Sequence, residues 1–272
     1  MIDLFTHAFG IRALIAATIV GLAAPAVGTF LVQRRLSLIG DGIGHLALAG
    51  VALGALTGIS GIWGALVVAL LGGLALEVLR SRGRLTGDLS LALIFYLGIA
   101  GGVVGLSAAG SYDASVLSVL FGSLFAMTWA DVGLITVLGA VVVAAVALLY
   151  PKLLAVALDE ETARAAGLPV NALNVATVEL TTLLVVGGMR VVGLLLVAAL
   201  MVIPVAADSR VSHSFRATLL WAVGVGALSA WVGLLAAAAH GELVPGGTIV
   251  LAAVAIFVVF AGLGTRRHRS AA

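Results

Sequence analysis

Asp131-Val132-Gly133-Leu134-Ile135-Thr136-Val137-Leu138-Gly139-Ala140-Val141-Val142-Val143-Ala144-Ala145-Val146-Ala147-Leu148-Leu149-Tyr150 carries one charge, on its first residue, and none over 132–150. At a rise of about 1.5 Å per residue, such a run is long enough for the roughly 30 Å hydrocarbon core of a bilayer. Similar runs lie at 11–32, 38–57, 61–79, 88–108, 170–187, 190–207, 215–239 and 247–264. The reading is therefore an all-α, polytopic membrane helix bundle of about nine transmembrane helices. The apolar stretch 115–128 is too short to span alone and reads as an interfacial or re-entrant helix.

Composition agrees with the runs. Hydrophobic residues make up 62% of 272, charged residues 10%, and the mean hydropathy is +1.27, against about 25% charged residues in a soluble domain. A soluble fold is excluded, and the spans leave no room for a second domain, so 1–272 reads as a single transmembrane domain. The 35 glycines suit close helix approach in lipid. Gly50-x3-Gly54, Gly54-x3-Gly58, Gly98-x3-Gly102 and Gly101-x3-Gly105 have the spacing for it, although chance gives such pairs too. The basic pair Arg34-Arg35 follows the first apolar run and does not precede it, which favours a retained first span over a cleaved leader.

Nine spans sort the basic residues onto two sides. Arg34, Arg35, Arg80, Arg82, Arg84, Lys152, Arg164, Arg210, Arg216, Arg266, Arg267 and Arg269 share one side, and only Arg12 and Arg190 lie on the other. The positive-inside rule then puts the C-terminus in the cytoplasm and the N-terminus outside. A net charge of +2 reflects this topology and gives no reason to expect nucleic acid as a partner. Within the longest cytoplasmic loop, Asp159-Glu160-Glu161-Thr162-Ala163-Arg164-Ala165-Ala166-Gly167-Leu168-Pro169 has acids at a helix start, arginine near its end, then glycine and proline. That pattern delimits a short cytoplasmic helix at about 159–167.

Few side chains in the apolar runs can do chemistry. Asp41 and His45, spaced i and i+4, share a helical face at the start of the second span. Both are competent ligands for Zn²⁺ or Mn²⁺; alternatively Asp41 caps the helix and bonds His45 without a metal. Glu179 lies mid-span, where an ionisable group marks an aqueous path or is kept neutral by a bond to Thr177, Thr181 or Thr182. His240 and Glu242 occupy an external loop where they could meet a cation or simply be solvated, and Asp131 reads as a solvated flank. Pro204, inside the seventh span, is expected to kink it.

Absent motifs are also informative. The single lysine, Lys152, follows Pro151, so no Gly-Lys-Ser/Thr phosphate loop exists in this chain. Neither His-Glu-x-x-His nor Gly-x-Ser-x-Gly occurs, and there is no cysteine for thiolate ligation or nucleophilic catalysis. An enzyme is not indicated, and any ATP-driven work must be done by another subunit.

Several segments resemble the zinc/manganese family of ABC permeases. These are Arg34-Arg35-Leu36-Ser37-Leu38-Ile39-Gly40-Asp41 with His45 and Gly50-Val51-Ala52-Leu53-Gly54; Leu120-Phe121-Gly122; Asp159-Glu160-Glu161 with Ala163 and Gly167; and Val192 to Leu200 through Pro204. The run Glu242-Leu243-Val244-Pro245-Gly246-Gly247 departs from that family's Asp-x-Pro-x-Gly-Pro-like run. The resemblance implies an importer permease of the inner (plasma) membrane that works as a homodimer among lipid. No cofactor would be bound permanently, Zn²⁺ or Mn²⁺ being cargo. It implies a cytoplasmic ATPase subunit docked on Asp159, Glu160, Glu161, Ala163, Arg164 and Gly167, and an extracytoplasmic metal-binding protein that delivers the ion. It also implies that Asp41 and His45 line the metal path. Two other transport classes are weighed against it. A siderophore, haem or cobalamin permease would usually be a longer chain with more spans, and an ion-coupled secondary transporter using Glu179 would have no use for a docking helix.

Overall fold

The computed structural model describes residues 8–81, 87–110, 122, 124, 127–208, 214–240 and 243–269. Its helices in chain order are α1 (Ala8–Gln33), α2 (Ile39–Thr57), α3 (Gly61–Ser81), α4 (Gly87–Ala108), α5 (Trp129–Leu158), α6 (Glu160–Ala165), α7 (Val170–Gly188), α8 (Leu194–Asp208), α9 (Phe215–His240) and α10 (Pro245–Arg269). Seven of these, α1 to α5, α7 and α9, are long and apolar enough to cross a membrane. The apolar stretches of α8 and α10, Leu196–Ala207 and Pro245–Phe260, are shorter. The chain is an all-helical, multi-pass membrane bundle. Its outer surface is apolar, with Leu148 80% and Leu71 64% exposed, as lipid contact requires.

Most expected boundaries coincide with the observed ones, and the differences have local causes. α5 continues through Pro151 to Leu158: the proline, on an exposed turn, forgoes one backbone hydrogen bond without ending the helix. The run 190–207 is not helical from its start. α7 stops at Gly188, residues 189–193 turn, and α8 begins at Leu194. Pro204 lies within α8 with helix on both sides. Most of the expected helix at 115–128 lies outside the described residues. Asp131 is no solvated flank: it completes a capping box with Thr128 at the start of α5 and accepts a hydrogen bond from Arg190 beyond the end of α7.

Glycines set how closely α2 is held. A Cβ on Gly50 would lie 2.4 Å from the Gly64 carbonyl oxygen, and one on Gly64 2.3 Å from that of Gly50, so α2 and α3 touch backbone to backbone. On the other flank, a Cβ on Gly98 of α4 would lie 2.5 Å from the His45 carbonyl carbon. Of the spaced pairs read from the sequence, Gly50/Gly54 and Gly98/Gly102 pack in this way. Gly58 instead ends α2 at φ +74°, with nothing near it. Gly98→Ala should cost about 1–3 kcal/mol by forcing α4 off α2. Gly101→Ala, whose Cβ would meet only Ala49 Cβ at 3.5 Å, should change stability by less than about 0.5 kcal/mol. Thermal melting in detergent compares the two.

Candidate functional site

α2 starts after Leu38, which makes no side-chain capping bond, so Asp41 sits inside the first turn and is not the cap. A carboxylate there is favoured by the helix dipole. Between Ile39 and Gly50 every residue is buried except Asp41, His45 and Ala49. α3 and α4 close the flanks, and α8 covers Gly40 and Gly44 through Ala198, Met201 and Leu194. The i, i+4 spacing thus leaves one open edge, and its two polar groups are the carboxylate and the imidazole. The His45 ring lies edge-on to Phe95 at 4.5 Å, and its Nδ1 is buried without a hydrogen-bond partner. An unpartnered imidazole nitrogen beside a carboxylate is a donor set suited to a divalent cation.

Of the other expected ligands, Glu179 and His240 do not join this pair. Among the described residues, no three His, Asp or Glu side chains gather closely enough to hold a metal ion. Glu179 lies on α7 against α3, its Oε1 3.4 Å from where a Gly73 Cβ would be, while the neighbouring Gly72 faces Leu46 of α2. It is therefore near the depth of His45, one helix away. Its Oε2 is buried without a partner. The alternative in which a threonine holds it is not realised: Thr177, Thr181 and Thr182 donate to the carbonyls of Leu173, Thr177 and Val178 at 2.8, 2.8 and 3.0 Å. His240 is exposed at the end of α9, with Nδ1 3.2 Å from the Ala236 carbonyl oxygen, and Glu242 lies outside the described residues.

A second polar centre lies where α1, α3, α6 and α7 meet. Asp159 caps α6, accepting from the amides of Glu161 and Thr162 at 2.9 and 3.1 Å and from the Thr162 hydroxyl at 2.6 Å. Those bonds, the Thr162 hydroxyl first, hold its carboxyl below the ordinary aspartate range. The cap therefore supports α6 above that range and is lost as the carboxyl protonates in acid. Gly167, at φ +81°, ends the helix, with the Leu168 amide donating to the Ala163 carbonyl.

The expected coupling residues divide between two faces. Glu161, Arg164 and Gly167 are exposed, Ala163 is buried, and Glu160 turns inward. Arg34 Nη2 donates to Glu160 Oε1, Arg80 Nη2 lies 3.7 Å from the same oxygen, and Asn174 Nδ2 donates to it at 3.4 Å. Arg80 also donates to both oxygens of Glu77, at 3.0 and 3.1 Å, and Glu77 is only 2% exposed. Burial, then the nearby Arg80, lowers the Arg34 pKa, and Glu160 offsets this in part. The basic residues sort to one side in the sequence, but Arg34 and Glu160 lie 126 positions apart, so their pairing leaves no spacing signal.

Known proteins match over nearly the whole chain. The manganese transport system membrane protein MntC of Listeria monocytogenes is 29% identical over 94% of this chain and 91% of its own length. The manganese import system permease protein ScaB of Streptococcus parasanguinis is 31% identical over 91% and 88%. The solved structure of PsaBC from Streptococcus pneumoniae in complex with Fab contains a chain that superposes with a TM-score of 0.85 at 29% identity, covering 95% of this chain and 93% of that one. The match to the ABC 3 transport family runs over residues 6–263, and the chain belongs to that family.

Proposed function

We propose that this chain is the membrane permease subunit of an ATP-driven importer of a divalent transition metal, zinc or manganese, in the cell (plasma) membrane. The observation that carries the proposal is the open edge of α2, where Asp41 and His45 are the only polar side chains between Ile39 and Gly50, a stretch otherwise enclosed by its neighbours except at Ala49. Family membership supports ATP-driven transport, and the relatives MntC and ScaB are manganese permeases by name. The remaining arrangement extends that reading. α8 and α10 complete nine spans, with the N-terminus outside and the C-terminus in the cytoplasm, on the strength of the charge sorting.

The chemistry follows from the donor set. Two ligands are too few for a closed site, since Zn²⁺ takes about four. A second copy presenting the same edge would supply Asp41 and His45 again, which favours a homodimer with the metal between the copies. An incoming ion exchanges water for carboxylate and imidazole, and its charge is neutralised inside the membrane. An external binding protein delivers it past His240 and Glu242. Glu161 and Arg164, on the outer face of α6, and Gly167, just past its end, dock the ATPase subunit, which hydrolyses the ATP. Closure of that subunit moves α6, opens the edge to the cytoplasm and releases the ion.

Glu179, unpartnered in a span, favours one other reading, an ion-coupled carrier that needs no ATPase. Cellular metal content separates the two. In cells starved of zinc and manganese, loss of this chain and loss of the partner ATPase should lower the same metal equally. A drop on loss of this chain alone would contradict the proposal.

A further inference from the structure

The six residues of α6 are too few to act as a lever unless something fixes them to the spans. Along its backbone α6 packs on α5 and α7. Among the described residues, its hydrogen bonds and ion pairs toward α1 and α3 run through one side chain. Glu160 Oε1 accepts from Arg34, at the end of α1, and has Arg80, at the end of α3, 3.7 Å away. The Arg34 side chain is only 7% exposed and that of Glu160 39%, so the pair is shielded more than a surface ion pair is. Arg80 is shared with Glu77, so Arg34, Glu160, Arg80 and Glu77 form a chain of two arginines and two glutamates with zero net charge. Asn174, at the start of α7, adds a third helix to the same oxygen.

The turn after α1 is built to present Arg34. Arg35 takes φ +58° in the left-handed region, and the Leu36 amide closes back on the Leu31 carbonyl at 2.9 Å. A non-glycine residue seldom adopts that conformation without compensation. Here it ends α1 within a residue of the guanidinium and leads at once into α2, so Arg34 stands at the joint between α1 and the helix that carries Asp41 and His45.

We infer that Glu160 is a positioning residue, a latch that fixes the docking helix to α1, α3 and α7 and makes motion of α6 move the spans around the metal edge. This rests on the reading of the chain as an ATP-driven permease. It divides the docking segment by role: Glu161 and Arg164 face the partner, while Glu160 faces the membrane domain. Losing the latch should uncouple transport from hydrolysis without releasing the partner.

The test uses vesicles holding the full chain with an ABC ATPase subunit that remains bound to the unsubstituted protein. Radiolabelled Mn²⁺ or Zn²⁺ uptake, ATP hydrolysed and ATPase retained on purification are measured together. Glu160→Gln should retain the ATPase and lower metal moved per ATP by about tenfold, the effect of losing one charge-assisted hydrogen bond. Glu160→Asp, which keeps the charge, should recover part of it. Arg164→Ala should instead lose the ATPase on purification. If Glu160→Gln leaves Arg34 buried and unpaired and does not fold, the double variant Arg34→Gln/Glu160→Gln removes both charges and should show the same lowered ratio. An unchanged ratio in the folded variant, or loss of the ATPase equal to that of Arg164→Ala, would overturn the latch. Should the unsubstituted protein move no metal, the transport reading fails. Hydrogen exchange of residues 159–167 then still reads the latch: faster exchange in Glu160→Gln supports it, and unchanged exchange refutes it.

Discussion

Replacing His45 by alanine is expected to lower metal uptake at least about a hundredfold while the helical fold persists. The size follows from the donor count, because partners one shell further out already cost 10–100-fold when removed, and His45 would be a direct ligand in a site of few. The persistence of the fold follows from the hydrogen-bond inventory. His45 Nδ1 has no partner, so truncation leaves no buried group unsatisfied. What is lost is ring contact with Phe95 at a partly open edge. Asp41→Asn, equal in shape but a weaker ligand, should act in the same direction. Uptake of radiolabelled Mn²⁺ or Zn²⁺, with circular dichroism for helix content, checks both. Full uptake by both variants would remove the metal edge from the mechanism and leave the bundle standing.

Gly28→Ala should be the most damaging single methyl group in the described bundle. Its Cβ would fall 1.9 Å from the Met201 carbonyl oxygen and 2.7 Å from the carbonyl carbon, both backbone of α8. No rotamer relieves that contact, so α1 and α8 must separate. Overpacking commonly costs about 1–3 kcal/mol, and a clash with backbone belongs at or above the top of that range. The effect reaches α2 as well, since Met201 Sδ and Ala198 Cβ lie 3.3 Å from where a Gly40 Cβ would be. Gly224→Ala, on α9 with nothing within 4 Å, is the matched control. Monodisperse protein recovered in detergent should fall sharply for the first variant and stay unchanged for the second.

These contrasts show what the sequence can and cannot say. The run 131–150 announces a span because hydrophobic length is a local property, and α6 was legible because its signals are local too. Asp159 caps it, Glu160 and Glu161 begin it, and Gly167 ends it within one short segment. Asp41 and His45 were legible as a pair because i, i+4 geometry is fixed by the helix. That they form the open edge of an otherwise covered stretch of α2 was not, since it depends on which flanks α3, α4 and α8 cover.

Pairing across distance left no trace in spacing. Asp131 read as solvated because Arg190 is 59 positions away, and Glu160 read as one of a row of partner-facing residues because Arg34 and Arg80 come from other helices. Of the two readings of Glu179, an aqueous path or a bond to a nearby threonine, the second has no donor to work with. In an apolar helix each threonine hydroxyl closes on the carbonyl four residues back, which takes the donor from the carboxyl. The glycine pairs show the same limit, because Gly54-x3-Gly58 has packing spacing while Gly58 serves as a helix stop.

ATP-dependent metal accumulation in sealed vesicles decides between the two transport readings. Vesicles holding this chain and its ABC ATPase, supplied with the external binding protein, should accumulate Mn²⁺ or Zn²⁺ only when ATP is hydrolysed, and His45→Ala should abolish the accumulation. Accumulation driven by a proton gradient in vesicles that hold this chain without any ATPase, and lost on Glu179→Gln, would contradict it.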